Sequence, residues 1–246
     1  MRSQLVISTA FLLAAVSAAE YNPDHGVKAM YYSAAAYCQA SSIEKWSCGE
    51  PCNVQAGVTK VVMVLDESQG TQGFVAYNAL MNEIVVSFRG STNIPNWVSN
   101  INFFQTPWKQ VPGAQVHRGF LAAYTGVQSQ VTSAVRGLLA NFPTARVLIT
   151  GHSLGGALAS LAAVDLKEQF GLNNNFITFY TYGCPRVGNQ AFSDYVFRLF
   201  PDGGHQRITH SSDVVPHLPP ASFGFNQIGD EVWYFNNWFD LSYRVC

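Results

Sequence analysis

Ser153, at the centre of Gly151-His152-Ser153-Leu154-Gly155, is the residue of this 246-residue chain best placed to do chemistry. A strand-like run, Val147 to Thr150, leads into it, and an Ala-rich run beginning at Ala157 leads out. That order of strand, sharp turn and helix presents a hydroxyl at the turn. It requires glycine two positions to either side, where a side chain would strike the neighbouring strand or helix. A helix starting directly after the serine also aims free N–H groups and the positive end of its dipole at the hydroxyl, which favours negative charge there. The chemistry that suits such a residue is nucleophilic attack on an ester carbonyl through a covalent acyl intermediate.

The elements that must position these groups are legible in the hydrophobic pattern. Asp24 to Cys38 carries Val27, Met30, Tyr31, Ala34, Ala35 and Cys38 at helical spacing, with Asp24 as N-cap. Val58 to Leu65, Gly73 to Leu80 and Glu83 to Phe88 read as strands, the last two joined at Met81-Asn82 as a hairpin. A long helix runs from Arg118-Gly119 to Asn141-Phe142-Pro143. Strand Arg146 to Thr150, helix Ala157 to Phe170 ending at Gly171, and strand Phe176 to Tyr182 follow. Gln206 to His210 is a further strand and Val232 to Phe235 the last. Strands alternating with helices predict a three-layer α/β fold with a mainly parallel central sheet and helices on both faces.

Composition excludes several function classes. A net charge of −1 with 12% charged residues leaves no basic footprint for nucleic acid. Residues 1–19, with Arg2, an apolar run from Leu5 to Val16 and small residues at Ala18 and Ala19, read as a secretory signal peptide. No later segment is long and apolar enough for a transmembrane anchor. Residues 20–246 then form a single secreted domain, since no linker, charge block or repeat divides them. Of the five cysteines, Cys48 and Cys52 flank a short turn that a bridge closes. Cys38 and Cys246 are the natural second pair, and Cys184 is left as a buried thiol. No Cys/His cluster has metal-ligand spacing, so neither metal nor cofactor is expected.

Six segments together resemble the secreted class 3 triacylglycerol lipases of filamentous-fungal type, which are α/β-hydrolases. They are YSAAAYC (32–38), VSFRGSTNIPNWVSNINF (86–103), VHRGF (116–120), ITGHSLGGALASLAA (149–163), YGCPRVGNQAF (182–192) and RITHSSDVVPHLPP (207–220). The resemblance implies Ser153 as nucleophile and Asp213 as the acid that orients a histidine. It implies an oxyanion hole from the N–H of Leu154 and from Ser91, through its N–H and its hydroxyl. It also makes the segment from Asn93 to Asn100 a lid, with Asn93 as N-cap and Ile94, Trp97 and Val98 on one apolar face. Such a lid lays Trp97 over the serine in water and rolls away at an oil surface. The implied partner is a lipid ester at a lipid–water interface, met by a monomer.

The resemblance also places the base in a context like aromatic-x-His-x-Gly-x-Glu, where this chain reads Phe225-Asn226-Gln227-Ile228-Gly229-Asp230-Glu231. Gln227 is therefore expected at the histidine's position, and its amide takes up no proton near neutral pH. No histidine occurs after His217. His117 and His152 match family positions that are not the base. His210 and His217 suit structural roles, and His205, in the Gly203-Gly204 turn, is expected at the surface. Two functions follow: a lipid ester hydrolase with activity low or lost, or a pseudo-lipase that binds lipid or a partner without turnover.

Overall fold

The computed structural model describes residues 21–201, 203–235 and 242–246, and the expected signal peptide lies outside them. In chain order the elements are α1 (Pro23–Ala35), α2 (Ala40–Glu44), α3 (Glu50–Val54), β1 (Val58–Asp66), β2 (Thr71–Asn78) and β3 (Glu83–Phe88). Next come α4 (Ile94–Asn100), β4 (Gln105–Pro107), β5 (Gln115–His117), α5 (Arg118–Asn141), β6 (Arg146–His152) and α6 (Leu154–Phe170). The chain continues through β7 (Ile177–Tyr182), α7 (Gln190–Leu199), β8 (His205–His210), β9 (Glu231–Tyr234) and β10 (Tyr243–Val245).

Eight strands form one sheet in the order β1-β2-β3-β6-β7-β8-β9-β10. β3, β6, β7, β8 and β9 run parallel, while β1, β2 and β10 pair antiparallel at the two sides. Successive side chains on a strand leave opposite faces of the sheet, and the buried residues divide accordingly. Ile84, Val86, Phe88, Val147 and Ile149 join α5, α6 and α7 in one core, whereas Val85 and Leu148 join α1 and α2 in the other. The result is the expected three-layer α/β-hydrolase architecture.

The first helix shows where periodicity misled. Its N-cap is Asn22, whose side chain accepts from the N–H groups of Asp24 and His25 at 2.9 and 3.2 Å, with Pro23 opening the helix. Val27 and Met30 are exposed, and the buried face is Gly26, Ala29, Tyr32, Ser33 and Ala35. Small residues line it because α1 lies close on β6: the hydroxyls of Ser33 and Thr150 are 2.7 Å apart. The last strand is β10, not β9, and it covers β9 antiparallel from Tyr243 to Val245.

The cysteine expectation is half right. Cys48 and Cys52 are bridged, with Cα atoms 5.4 Å apart, but Cys38 and Cys246 are both free thiols. The carbonyl of Cys38 accepts from Gln72 of β2 at 2.9 Å, whereas Cys246 exchanges main-chain hydrogen bonds with Glu231 of β9. Five strand spacings, about 24 Å along the sheet, separate β2 from β9, and a disulfide tolerates Cα atoms at most about 7 Å apart. Cys184 is buried as expected, and burial pushes its thiol up to about 12.

At the end of the sheet opposite Ser153, Glu83 opens β3, and burial raises its carboxyl to about 7 despite the nearby Arg146 and Lys28. A raised carboxyl contributes stability below its unfolded value near 4.5 and loses it as pH climbs through about 7. Glu83→Gln is therefore expected to raise the melting temperature at pH 8 by several degrees. The corresponding free energy is roughly 3–3.5 kcal/mol before discounting for the carboxyl's partial exposure. At pH 4 it should change little. Calorimetry at both pH values checks this, and an equal change at both would remove Glu83 as its source.

Candidate active site

The elbow is built by close approach of main chain. Ser153 sits between β6 and α6 at φ 57°, ψ −128°, a left-handed φ that a non-glycine residue adopts only under constraint. A Cβ at Gly151 would lie 2.2 Å from the carbonyl oxygen of Gly155, and one at Gly155 would lie 2.2 Å from that of Phe88. Strand, turn and helix thus touch backbone to backbone, which holds Ser153 in its turn. Its N–H donates to Tyr182 of β7 at 2.8 Å. The serine is fully buried, and its Oγ has no hydrogen-bond partner.

Three strand ends converge here. The chain leaving β3 presses Gly90 against the serine, where an added Cβ would stand 3.1 Å from that of Ser153. The chain leaving β7 brings Gly183 beside Asp213: a Cβ there would be 2.7 Å from Asp213 Oδ2 and 3.6 Å from His152 Nε2. Asp213, in the loop after β8, accepts the N–H of Val215 at 2.9 Å through Oδ1. Leu154 opens α6, so its N–H has no partner within the helix. Ser91 lies next to Gly90, but its hydroxyl donates to the Asn93 carbonyl at 3.2 Å and accepts the Asn93 N–H at 3.3 Å. Of the two groups expected of Ser91, its hydroxyl is spent on the turn and only its N–H is left.

That turn starts α4, where the Asn93 side chain accepts the N–H of Asn96 at 3.0 Å, as an N-cap should. Ile94, Trp97 and Val98 are all half-buried. Trp97 stacks on Phe120 of α5, with ring centroids 6.3 Å apart, and packs with Ile101 against the core.

Tyr37, which sequence reasoning passed over, ties this end of the molecule together. Its hydroxyl is 2.8 Å from His152 Nδ1 and accepts the N–H of Gly90, so one phenol joins the end of α1 to the loops after β3 and β6. Burial raises its ionisation, opposed by Gly90 and Arg89. The available signal was Tyr37's place beside Cys38 in YSAAAYC, but a tyrosine at a helix end has many uses.

All six histidines of the chain are described, and none bonds to Ser153. His117 Nδ1 caps α5 by accepting from Gly119 and Phe120, so its Nε2 carries the proton, donated to the Asn102 carbonyl at 2.5 Å. Burial lowers its proton affinity, opposed by the Asn102 carbonyl. His152 is lowered by burial, against the opposing pull of Asp213, and Tyr37 occupies its Nδ1. His205, expected at the surface, is buried: it stacks on Phe179 at 3.8 Å and is held well below the usual histidine range by burial. The turn leaves Gly203 half-buried, and the ring belongs to β8 and faces inward. His25, His210 and His217 are exposed.

Gln227 has contacts of its own. Its amide N–H groups donate to the carbonyls of Pro216 at 2.7 Å and Cys184 at 3.2 Å, and its main-chain carbonyl accepts Ser193 Oγ of α7. The side chain therefore ties the Asp213 loop to the segment after β7 and makes no hydrogen bond to Ser153. Its Oε1 is buried without a partner.

Comparison with known proteins places this geometry. The family model for class 3 lipases matches residues 85–223, from β3 through the elbow to the loop beyond Asp213. The chain belongs to the class 3 lipase family. It is 38% identical over 226 residues to the secreted mono- and diacylglycerol lipase 1 of Fusarium solani, covering 88% of this chain and 65% of that protein. It is 40% identical over 169 residues to a Rhizomucor miehei lipase, covering 68% of this chain but 46% of that protein. This lipase-family chain thus spans about half to two thirds of the length of those relatives. Lipase II from Rhizopus niveus superposes with a TM-score of 0.85 at 34% identity, covering 91% of this chain and 83% of that one. A triacylglycerol lipase whose catalytic centre is described as a serine-protease triad superposes at 0.79 and 35% identity, covering 87% and 81%.

Proposed function

We propose that the chain is the nucleophile-bearing body of a lipid ester hydrolase acting outside the cell. The observation that carries this reading is the elbow, in which Ser153 is held at left-handed φ under close main-chain contacts, with the Asp213 carboxylate at a neighbouring strand end. Attack of Ser153 Oγ on an acylglycerol carbonyl puts negative charge on the carbonyl oxygen, where the N–H groups of Leu154 and Ser91 receive it. Asp213 orients the group that takes the serine proton. That group is none of the six histidines as they stand, so turnover by this chain alone is low. The second reading, binding of lipid without turnover, is favoured by the unpartnered Ser153 Oγ.

The test is hydrolysis of a short-chain p-nitrophenyl ester and of emulsified mono- and triacylglycerol, with Ser153→Ala as blank and free imidazole added as a replacement base. Slow, Ser153-dependent hydrolysis that imidazole accelerates is expected. Hydrolysis equal to the blank with and without imidazole supports the binding reading. α4 serves as the lid that meets the lipid surface, with Trp97 contributing the largest apolar area. Trp97→Ser is expected to reduce partitioning onto emulsified triacylglycerol about tenfold or more, measured by flotation, because burying a large side chain is worth roughly 1.5–3 kcal/mol. Unchanged flotation would remove α4 from the contact.

A further inference from the structure

A cavity of about 510 Å³ lies at the opposite end of β6 from Ser153, about 20 Å away by strand rise. It runs beneath the starts of β3, β6, β7 and β8, across three strand spacings or about 14 Å, and is in the size range of small-ligand sites. Glu83, Lys28 and Arg146 line one end, and Thr178, Tyr180 and Gln206 the other.

Several polar groups here are unspent, although Lys28 Nζ donates to Met81 Sδ at 4.0 Å. Lys28 and Arg146 flank the Glu83 carboxyl, yet neither reaches it within 4 Å; the ion pair among the described residues is Arg207–Glu231. Gln206 is 5% exposed, and its Oε1 is buried with no partner, while its Nε2 makes a long contact of 3.5 Å to the Gly203 carbonyl. The trough beside the Tyr180 ring therefore offers donors from Lys28 and Arg146 and acceptors from Glu83 and Gln206. A purely anionic ligand would meet Glu83, and a purely cationic one would meet Lys28 and Arg146. A hydroxyl both donates and accepts, so a chain of hydroxyls satisfies both kinds of group without a charge conflict. The length of the trough requires more than one sugar ring.

We propose that this cavity is a binding site for a short neutral saccharide, separate from the ester site and independent of whether Ser153 turns over. Glu83 and Arg146 hold hydroxyls at one end, and Gln206 Oε1 accepts a hydroxyl proton at the other. Such a site would tether the protein to polysaccharide while the elbow faces lipid at the opposite end.

Titration calorimetry on the protein without its signal segment tests this, with cellotriose, xylotriose, maltotriose and chitotriose as ligands and with succinate and putrescine as charged controls. At least one trisaccharide is expected to bind. Arg146→Met and Gln206→Leu, one at each end of the trough, should each weaken it about tenfold or more. Both substitutions keep the apolar stem, and a melting curve verifies that each variant is folded. Absence of heat with all four trisaccharides overturns the proposal. So does sugar binding that survives both substitutions in folded protein, or tighter binding of either charged control.

Discussion

Gly155→Ala should yield no cooperatively folded protein, whereas Gly137→Ala, the same change in α5, should be neutral or slightly stabilising. The two sites differ in what the new methyl group meets. At Gly155 it would lie 2.2 Å from the Phe88 carbonyl oxygen and 2.9 Å from main-chain carbons of Phe88 and Arg89; at Gly137 nothing lies within 4 Å. Real Cβ contacts do not fall under about 3 Å, and rigid main chain on both sides has no rotamer through which to yield. Relief requires α6 to leave β3, and with it the packing of Ala157, Leu158 and Leu161 against the sheet. Opening that core costs more than about 4–5 kcal/mol, comparable with the whole stability of many domains, about 5–15 kcal/mol. At Gly137, replacing helical glycine with alanine is worth about 0.5–1 kcal/mol in the favourable direction. Expression yield and thermal melts of the two variants decide the matter. A Gly155→Ala protein melting within a few degrees of the parent would show that β3 and α6 are not in backbone contact.

Gln227→His should leave ester hydrolysis within about tenfold of the parent. If position 227 were the vacated base, restoring histidine would raise turnover by orders of magnitude, since loss of the histidine from a serine hydrolase triad lowers it about 10⁶-fold. The structure argues for the smaller effect. The Gln227 side chain is directed at the carbonyls of Pro216 and Cys184, which accept both of its N–H groups, and not at Ser153 Oγ. An imidazole there would donate to one of the same carbonyls and give up a second bond between the Asp213 loop and the chain after β7. The expected cost is a modest loss of stability, about 0.5–1.5 kcal/mol for one net hydrogen bond. Parallel initial rates on a p-nitrophenyl ester for parent, Gln227→His and Ser153→Ala make the comparison. A rise of a thousandfold or more in the histidine variant would restore the reading taken from the sequence and require the 227 side chain to swing to Ser153.

The expectation at Gln227 rests on a linear motif. A linear motif records which residue types are neighbours in sequence, and Gly229, Glu231 and Trp233 matched the expected context. Glu231 in fact pairs with Arg207 at 2.9 Å, and Gly229 gives way to the buried His205 ring, where a Cβ would stand 2.1 Å from His205 Nδ1. The matched residues serve the packing of β8 on β9, so their agreement carries no information about reach to Ser153. The Cys38–Cys246 expectation failed for a related reason: counting cysteines says nothing of which side of the sheet each one joins.

What the sequence by itself determined is what short-range sterics and periodicity dictate. The glycines around Ser153, the strand run from Ile84 to Phe88, the helix from Arg118 to Asn141 and the left-handed stop at Gly171 each follow from local geometry. Together they specify an α/β-hydrolase body and its nucleophile. Only the tertiary structure decided which face of α1 is buried, that Tyr37 clasps Gly90 and His152, that the Ser91 hydroxyl is spent on Asn93, and that no histidine reaches Ser153. Those depend on contacts between residues far apart in sequence, whose partners are chosen by strand order and by competition for each buried donor and acceptor.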